Sequence, residues 1–201
     1  MKGTYTRTVN PTSEPITTSE LKTHLKIDWA DEDTYLDALI QASREMCEAY
    51  TNLSFFTQTY TVQLDDFPSD SLLLLKGPIQ EISSVKYYDE NDNEQTLATA
   101  KYYADLNSFP GRIYFTETED VYDDRFNAVT ITMVNGYSAT SDIPEAIKQA
   151  IKLQASELYE NREDANKKTG FGFCKTSRLL LNAYKAYWSW KQTSRLKELI
   201  M

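Results

Sequence analysis

One histidine, two cysteines and several close-set carboxylates are the side chains of this 201-residue chain whose types could do chemistry. A histidine acting as general base needs a nucleophile within reach and a third group to orient it. His24 stands between Thr23 and Leu25 in a short helical stretch with no serine or cysteine motif near it, so a surface or capping histidine is the better account. Asp89, Asn91 and Asn93 copy the alternation of a calcium loop, but Glu94 occupies the turn-glycine position and Ala100 the place of the bidentate glutamate. A polar hairpin turn explains them better. Asp120, Asp123 and Asp124 could bind a divalent ion or work as an acid-base pair, yet nothing in their spacing fixes a geometry, and a solvated loop is the simpler reading. Gly170-Phe171-Gly172-Phe173 has neither a preceding strand nor a following Lys-Ser/Thr pair, so it reads as a hinge and not as a phosphate cradle. Cys47 and Cys174 lack metal-ligand spacing and read as ordinary thiols of a cytosolic protein. The expectation is no catalytic residue, no metal and no cofactor; a hydrolase using the central carboxylates has no supporting constellation.

The elements that would position any site fall into three stretches. Thr18 to Ile27 reads as a short helix with Ser19 as a possible N-cap, and Asp31, Glu32 and Asp33 suit the positive end of a longer one. In that longer helix Leu36, Leu39, Ile40, Ser43, Met46, Cys47, Tyr50 and Leu53 recur at helical spacing. From Phe55 onward β-branched and aromatic runs take over: 57–64, 72–75, 79–88, 102–106, 112–116 and 128–134. Gly77-Pro78, 89–95, Pro110-Gly111 and Asn135-Gly136 punctuate them closely, which favours antiparallel hairpins. Pro144 suits the first turn of a third helix running to about Tyr159. Residues 161–176 are charged and glycine-interrupted, and Ser177 can cap a final helix bearing Leu180, Leu181, Tyr184, Tyr187 and Trp188. Rings on that helix point in several directions, so it is clamped between elements or docks onto another subunit.

The expected fold is α+β: a helical bundle of N-terminal and C-terminal helices with an antiparallel β-rich insertion in the middle. Its parts are N-terminal helices over 1–54, a β domain over 55–140, a bundle helix over 141–160, a flexible linker over 161–176 and a docking helix over 177–201.

Net charge is −9, distributed as −4 over 1–64, −9 over 65–127, 0 over 128–141 and +4 over 142–201. A conventional duplex-DNA binder shows a basic face, so the balance argues against one. An acidic middle and a basic end fit surfaces that face different neighbours. No apolar run approaches the roughly 20 residues of a membrane span, and Met1 to Asn10 lacks a signal-peptide core, so synthesis and assembly in the cytoplasm without a membrane are expected.

Several segments resemble the head-tail connector (adaptor) family of tailed bacteriophages and prophages, whose members are described as DNA-packaging or head-completion proteins. The similarity spans most of the chain. Thr18 to Leu25, then an acidic-capped helix ending in Tyr50-Thr51-Asn52-Leu53, is similar to the family's opening. Thr57 to Tyr60, Leu75-Lys76-Gly77-Pro78-Ile79-Gln80 and Val129 to Thr132 leading into Gly136-Tyr137 resemble its β portion. Ile143 to Ile151, continuing through Glu157 to Glu163, resembles its signature helix almost residue for residue. Arg178-Leu179-Leu180 followed by Tyr184-Lys185 is similar to its closing motif, with lysine replacing arginine at 185 and a further extension through Trp188 and Trp190.

The resemblance implies a structural subunit of the virion at the head-tail interface. It implies a homo-oligomeric ring of about twelve copies below the portal, the outcome of head-to-tail contacts that close. DNA would pass through the lumen without sequence-specific binding. The implied partners are the portal protein and a head-closure or tail-completion protein, with Arg178, Leu179, Leu180, Tyr184 and Trp188 as expected portal-side contacts. The alternative is a DNA-recognition subunit of the packaging motor, which calls for a helix-turn-helix and a basic face.

Overall fold

The computed structural model describes residues 3–122, 125–162 and 173–185. The chain opens with β1 (Thr4–Val9), then α1 (Thr18–Leu25) and α2 (Asp33–Thr51). Seven strands follow: β2 (Gln58–Leu64), β3 (Leu72–Leu74), β4 (Ile79–Tyr88), β5 (Glu94–Thr96), β6 (Tyr102–Asp105), β7 (Gly111–Phe115) and β8 (Val129–Asn135). The described part closes with α3 (Glu145–Glu160) and α4 (Lys175–Asn182). The expected α+β fold with a β-rich middle is what forms.

Each helix begins and ends for local reasons. Thr17, not Ser19, caps α1: its hydroxyl accepts from the Glu20 N–H while the Glu20 carboxylate accepts from the Thr17 N–H, a reciprocal capping box. Lys26 and Asn52 take left-handed backbone at the ends of α1 and α2, which lets their N–H groups reach back to carbonyls of the last turn. α4 starts before the expected cap. Ser177 lies inside it, buried, and donates to the Ala150 carbonyl of α3 at 2.9 Å, so it fastens one helix to another. One apolar core holds the bundle, with Leu21 of α1, Leu36, Ile40 and Cys47 of α2, Ile147 and Ile151 of α3, and Leu181 of α4.

The strands form two antiparallel sheets, one ordered β1-β2-β8-β4-β5 and one ordered β3-β7-β6. β2 and β8 alternate strictly between buried and half-exposed residues, so Tyr60, Val62 and Leu64 share one face with Val129, Ile131 and Met133. That face packs with Leu72, Leu74, Ile113 and Phe115 of the smaller sheet into a second core. β1 and β5, which the pattern of hydrophobic residues does not reveal, are the outer strands of the larger sheet. β1 pairs with β2 in the register Tyr5↔Val62, and its Tyr5 hydroxyl donates to the Leu73 carbonyl of the other sheet at 3.0 Å.

Bundle and sandwich meet at a buried ionic cluster. Arg44 of α2, 2% exposed, donates through Nε to Glu14 at 2.7 Å and through Nη1 to Glu48 at 2.8 Å. The other Glu48 oxygen accepts from the Phe55 N–H at 2.7 Å and from Gln58 Nε2 at 2.8 Å, which ties α2 to the start of β2. Arg7 of β1 reaches Glu45 at 3.0 Å from the sheet side. Burial acts to lower the Arg44 pKa, but the carboxylates of Glu14, Glu48 and Glu45 more than offset it and hold the guanidinium above its ordinary value. Burial dominates at Glu48: its carboxyl is pushed up despite Arg44 and two N–H donors.

Candidate docking surfaces

The side chains first considered for chemistry are not brought together. His24 is exposed on α1. Asp89 closes the β4–β5 turn by accepting from the Asn91 and Asn93 N–H groups at 3.0 Å each, the hairpin role expected of it. Asp120 lines a cleft of about 640 Å³ at the end of the sandwich away from the helices, with Asp66, Phe67, Glu90, Glu119 and Tyr122. Asp123, Asp124 and the Gly170-to-Gly172 stretch lie outside the described residues. Among the described residues no cluster of three or more His, Cys, Asp or Glu side chains is placed to hold a metal ion, and no helix is long and apolar enough to cross a membrane. Burial lifts the Cys47 thiol to about 12, which removes the thiolate needed for reactivity at neutral pH.

Surfaces that could bind another protein are better defined. α4 lies along α3 and α2, held by Ser177, by Leu181, by a stack of Phe173 on Tyr50 with ring centroids 5.0 Å apart, and by a 2.6 Å bond from the Tyr50 hydroxyl to Asn182. That docking divides the five expected contact residues. Leu180 and Tyr184 pack, half-buried, against the bundle core. Arg178 and Leu179 point outward, Leu179 with 72% of its surface exposed, and Lys175 one turn earlier is also exposed. Trp188 lies outside the described residues. The helix is therefore clamped on one side and open on the other: a cationic face with an apolar centre.

A second surface was not legible as such in the sequence. The α1–α2 connection meets the last turn of α3 around the carboxylate of Glu32, which accepts from the Tyr159 hydroxyl at 2.5 Å, from Arg162 Nη2 at 2.7 Å and from the Trp29 indole N–H. These donors, Tyr159 first and Arg162 next, hold the Glu32 carboxyl below its ordinary value. The Arg162 guanidinium also sits 4.9 Å from the Tyr35 ring centre and 4.5 Å from that of Tyr159. Half of the Trp29 surface remains exposed, Tyr35 is exposed, and Asp28, Asp31 and Glu160 flank the rings in sequence without a cationic partner among the described residues. Tryptophan, tyrosine and arginine held in fixed positions at a surface are the composition of binding hot spots. The sequence signal was present, as Trp29, Tyr35, Tyr159 and Arg162, but 124 residues separate the Tyr35 and Tyr159 positions and only the packing of α2 on α3 unites them.

Comparison with known proteins gives two kinds of match. Residues 14–176 match the family described as head completion protein. The fold is similar to a chain in the neck of an empty gene transfer agent (GTA) particle computed with C6 symmetry, with TM-score 0.74 and 17% identity over 92% of this chain and 96% of that one. It is similar also to a chain in the virion of a native GTA particle, with TM-score 0.72 and 18% identity over 90% and 96% of the two chains. A third similar chain comes from the neck of a native GTA particle computed with C12 symmetry, with TM-score 0.69 and 19% identity over 93% and 96%. At these identities the likeness is one of fold. No curated protein matches.

Proposed function

The chain belongs to the head completion protein family, and we propose that it is a structural head-tail connector subunit that forms a ring below the portal of a tailed phage or prophage. The ring continues the channel for DNA and presents its far side to a head-closure or tail-completion protein. Its work is binding and not turnover. The observation that carries this reading is the family match across bundle and sandwich, supported by a fold shared with neck chains of particles solved with six-fold and twelve-fold symmetry. Head-to-tail contacts that close generate such rings, and about twelve copies fit the twelve-fold neck. A net charge of −9 suits a passage through which DNA slides without being gripped. Within this assembly the outward residues of α4, Arg178 and Leu179, are docking contacts.

Co-expression with the portal protein of the same locus tests the proposal, with co-purified material imaged by negative stain. A portal bearing an additional collar is the expected result. A portal that elutes bare while this protein elutes apart would place the chain elsewhere in the particle.

A further inference from the structure

We propose that neighbouring copies of this chain meet head to tail through the cationic face of α4 on one copy and the aromatic patch around Glu32 on the next. This rests on the ring reading and names the contact that builds the ring.

The argument begins with the pairing of charges. Most lysines and arginines among the described residues already face a carboxylate of their own chain, as Lys22 faces Asp33 and Lys152 faces Glu20. Lys26, Lys76, Lys175, Arg178 and Lys185 have no such carboxylate among the described residues. Lys76 is half-buried, with its pKa lowered by desolvation, and Lys185 lies 4.3 Å over the Tyr50 ring. Lys26 stands at the end of α1, beside the aromatic patch. Lys175 and Arg178 remain, together on one exposed helix face with Leu179 and with no acidic residue anywhere in 173–185. A surface of that kind fits a counterpart with exposed rings and surplus carboxylates.

The same chain carries that counterpart. Around Glu32, Trp29 and Tyr35 supply apolar area for Leu179, while Asp28, Asp31 and Glu160 supply the unpaired negative charge, with Lys26 as the one nearby cation left unpaired. Tyr159 and Arg162 are held by their hydrogen bonds to Glu32, and Arg162 in turn lies over the Tyr35 ring, so seating a partner costs little ordering of these side chains. The acidic cleft of the sandwich also has surplus charge, but its Glu119 is already shared with Lys101, and no tryptophan or exposed leucine lies in it.

The two faces occupy different parts of one bundle. The patch is at the start of α2 and the end of α3, whereas α4 begins beside Gln154 and runs back along α3 past Ala150 to Tyr50 at the end of α2. A contact between them is heterologous, the kind that propagates around a ring. It joins bundle to bundle and leaves the acidic ends of the sandwiches open.

Charge exchange tests the pairing. The full chain, on its own or as the collar on its portal, is compared with Lys175→Glu/Arg178→Glu, with Asp28→Lys/Asp31→Lys, and with a chain carrying all four changes. Native mass spectrometry and sedimentation give the assembly state, and circular dichroism verifies the fold. Each double reversal should abolish the ring and the fourfold variant should restore it, while Trp29→Ala should raise the concentration for half-assembly by about tenfold or more. Wild-type-like rings in both double variants, or no recovery in the fourfold one, would overturn the contact. Rings that persist in Lys175→Glu/Arg178→Glu while the portal collar is lost would assign the α4 face to the portal. Loss of the ring on reversing Glu90 and Asp120, with Asp28 and Asp31 reversals silent, would assign the counterpart to the sandwich cleft. A wild-type chain that forms no ring even on the portal would defeat the ring reading itself, a result distinct from all of these.

Discussion

Arg44 illustrates how much of this molecule depends on single side chains. Two carboxylates, Glu14 and Glu48, are bonded to a guanidinium that water hardly touches. Removing one member of a buried ion pair leaves the other charged and unsolvated, a loss of about 3–5 kcal/mol. Arg44→Met is therefore expected to lower the unfolding free energy by about that amount, read from urea denaturation, and a loss under about 1 kcal/mol would show that the cluster is not a bonded unit. Glu48 gives the sign of a pH effect. Its folded-state pKa lies above the unfolded value of about 4.3, so the folded chain keeps this proton to higher pH than the unfolded one does. Its contribution to stability is fully present below the unfolded value and is lost as pH rises through the folded one. The stability of Glu48→Gln minus that of wild type should accordingly increase with pH across that window, and a difference that stays flat or falls would refute the assignment. None of this could be read from the sequence, where Arg44 and Glu48 look like an ordinary surface pair one helical turn apart.

At the scale of elements, what the sequence revealed depended on burial. α2, α3, β2 and β8 show in the hydrophobic pattern because each turns a regular apolar face to a core. β1 has no such face. Thr4, Thr6, Thr8 and Val9 are exposed, and the strand exists because the edge of β2 offers unpaired N–H and C=O groups. β5 is three exposed polar residues joined to β4 by the Lys86–Glu94 pair, invisible to any pattern of hydrophobicity. The turn after β8 was legible, because Asn135-Gly136 is turn chemistry, and the structure shows the reason for the glycine. Gly136 has φ +103°, and a Cβ there would lie 2.1 Å from the Phe56 carbonyl oxygen. Both conflicts involve backbone, which no rotamer change can relieve. Gly136→Ala should cost about 3 kcal/mol or more, measured by thermal or urea unfolding, and a near-neutral result would mean that the α2–β2 and β8–α3 connections do not pass each other as described.

Across the whole molecule charge is segregated: carboxylates concentrate in the loops at the far end of the sandwich, while the exposed, unpaired cations Lys175 and Arg178 sit on the bundle. Among the described residues neither end presents a basic stripe to duplex DNA. A gel shift at low salt should show no salt-sensitive retention of duplex, and clear retention would favour a packaging-motor subunit instead. The composition conveyed this asymmetry, and the motifs conveyed the family. The candidate docking faces were half legible: Arg178 and Leu179 belong to one helix and could be picked out together, whereas the Glu32 patch is assembled from two segments that only tertiary packing makes neighbours. The β2 and β8 strands carry one more consequence. After β1 and the first two helices the chain returns to the sandwich at Gln58 and leaves it at Asn135, and these two residues are direct partners across the sheet. An excursion that starts and finishes at a single rung leaves the helices indifferent to what happens at its distal loops. Those loops can lengthen, shorten or change sign without moving the ends of α2 and α3 that flank the two strands.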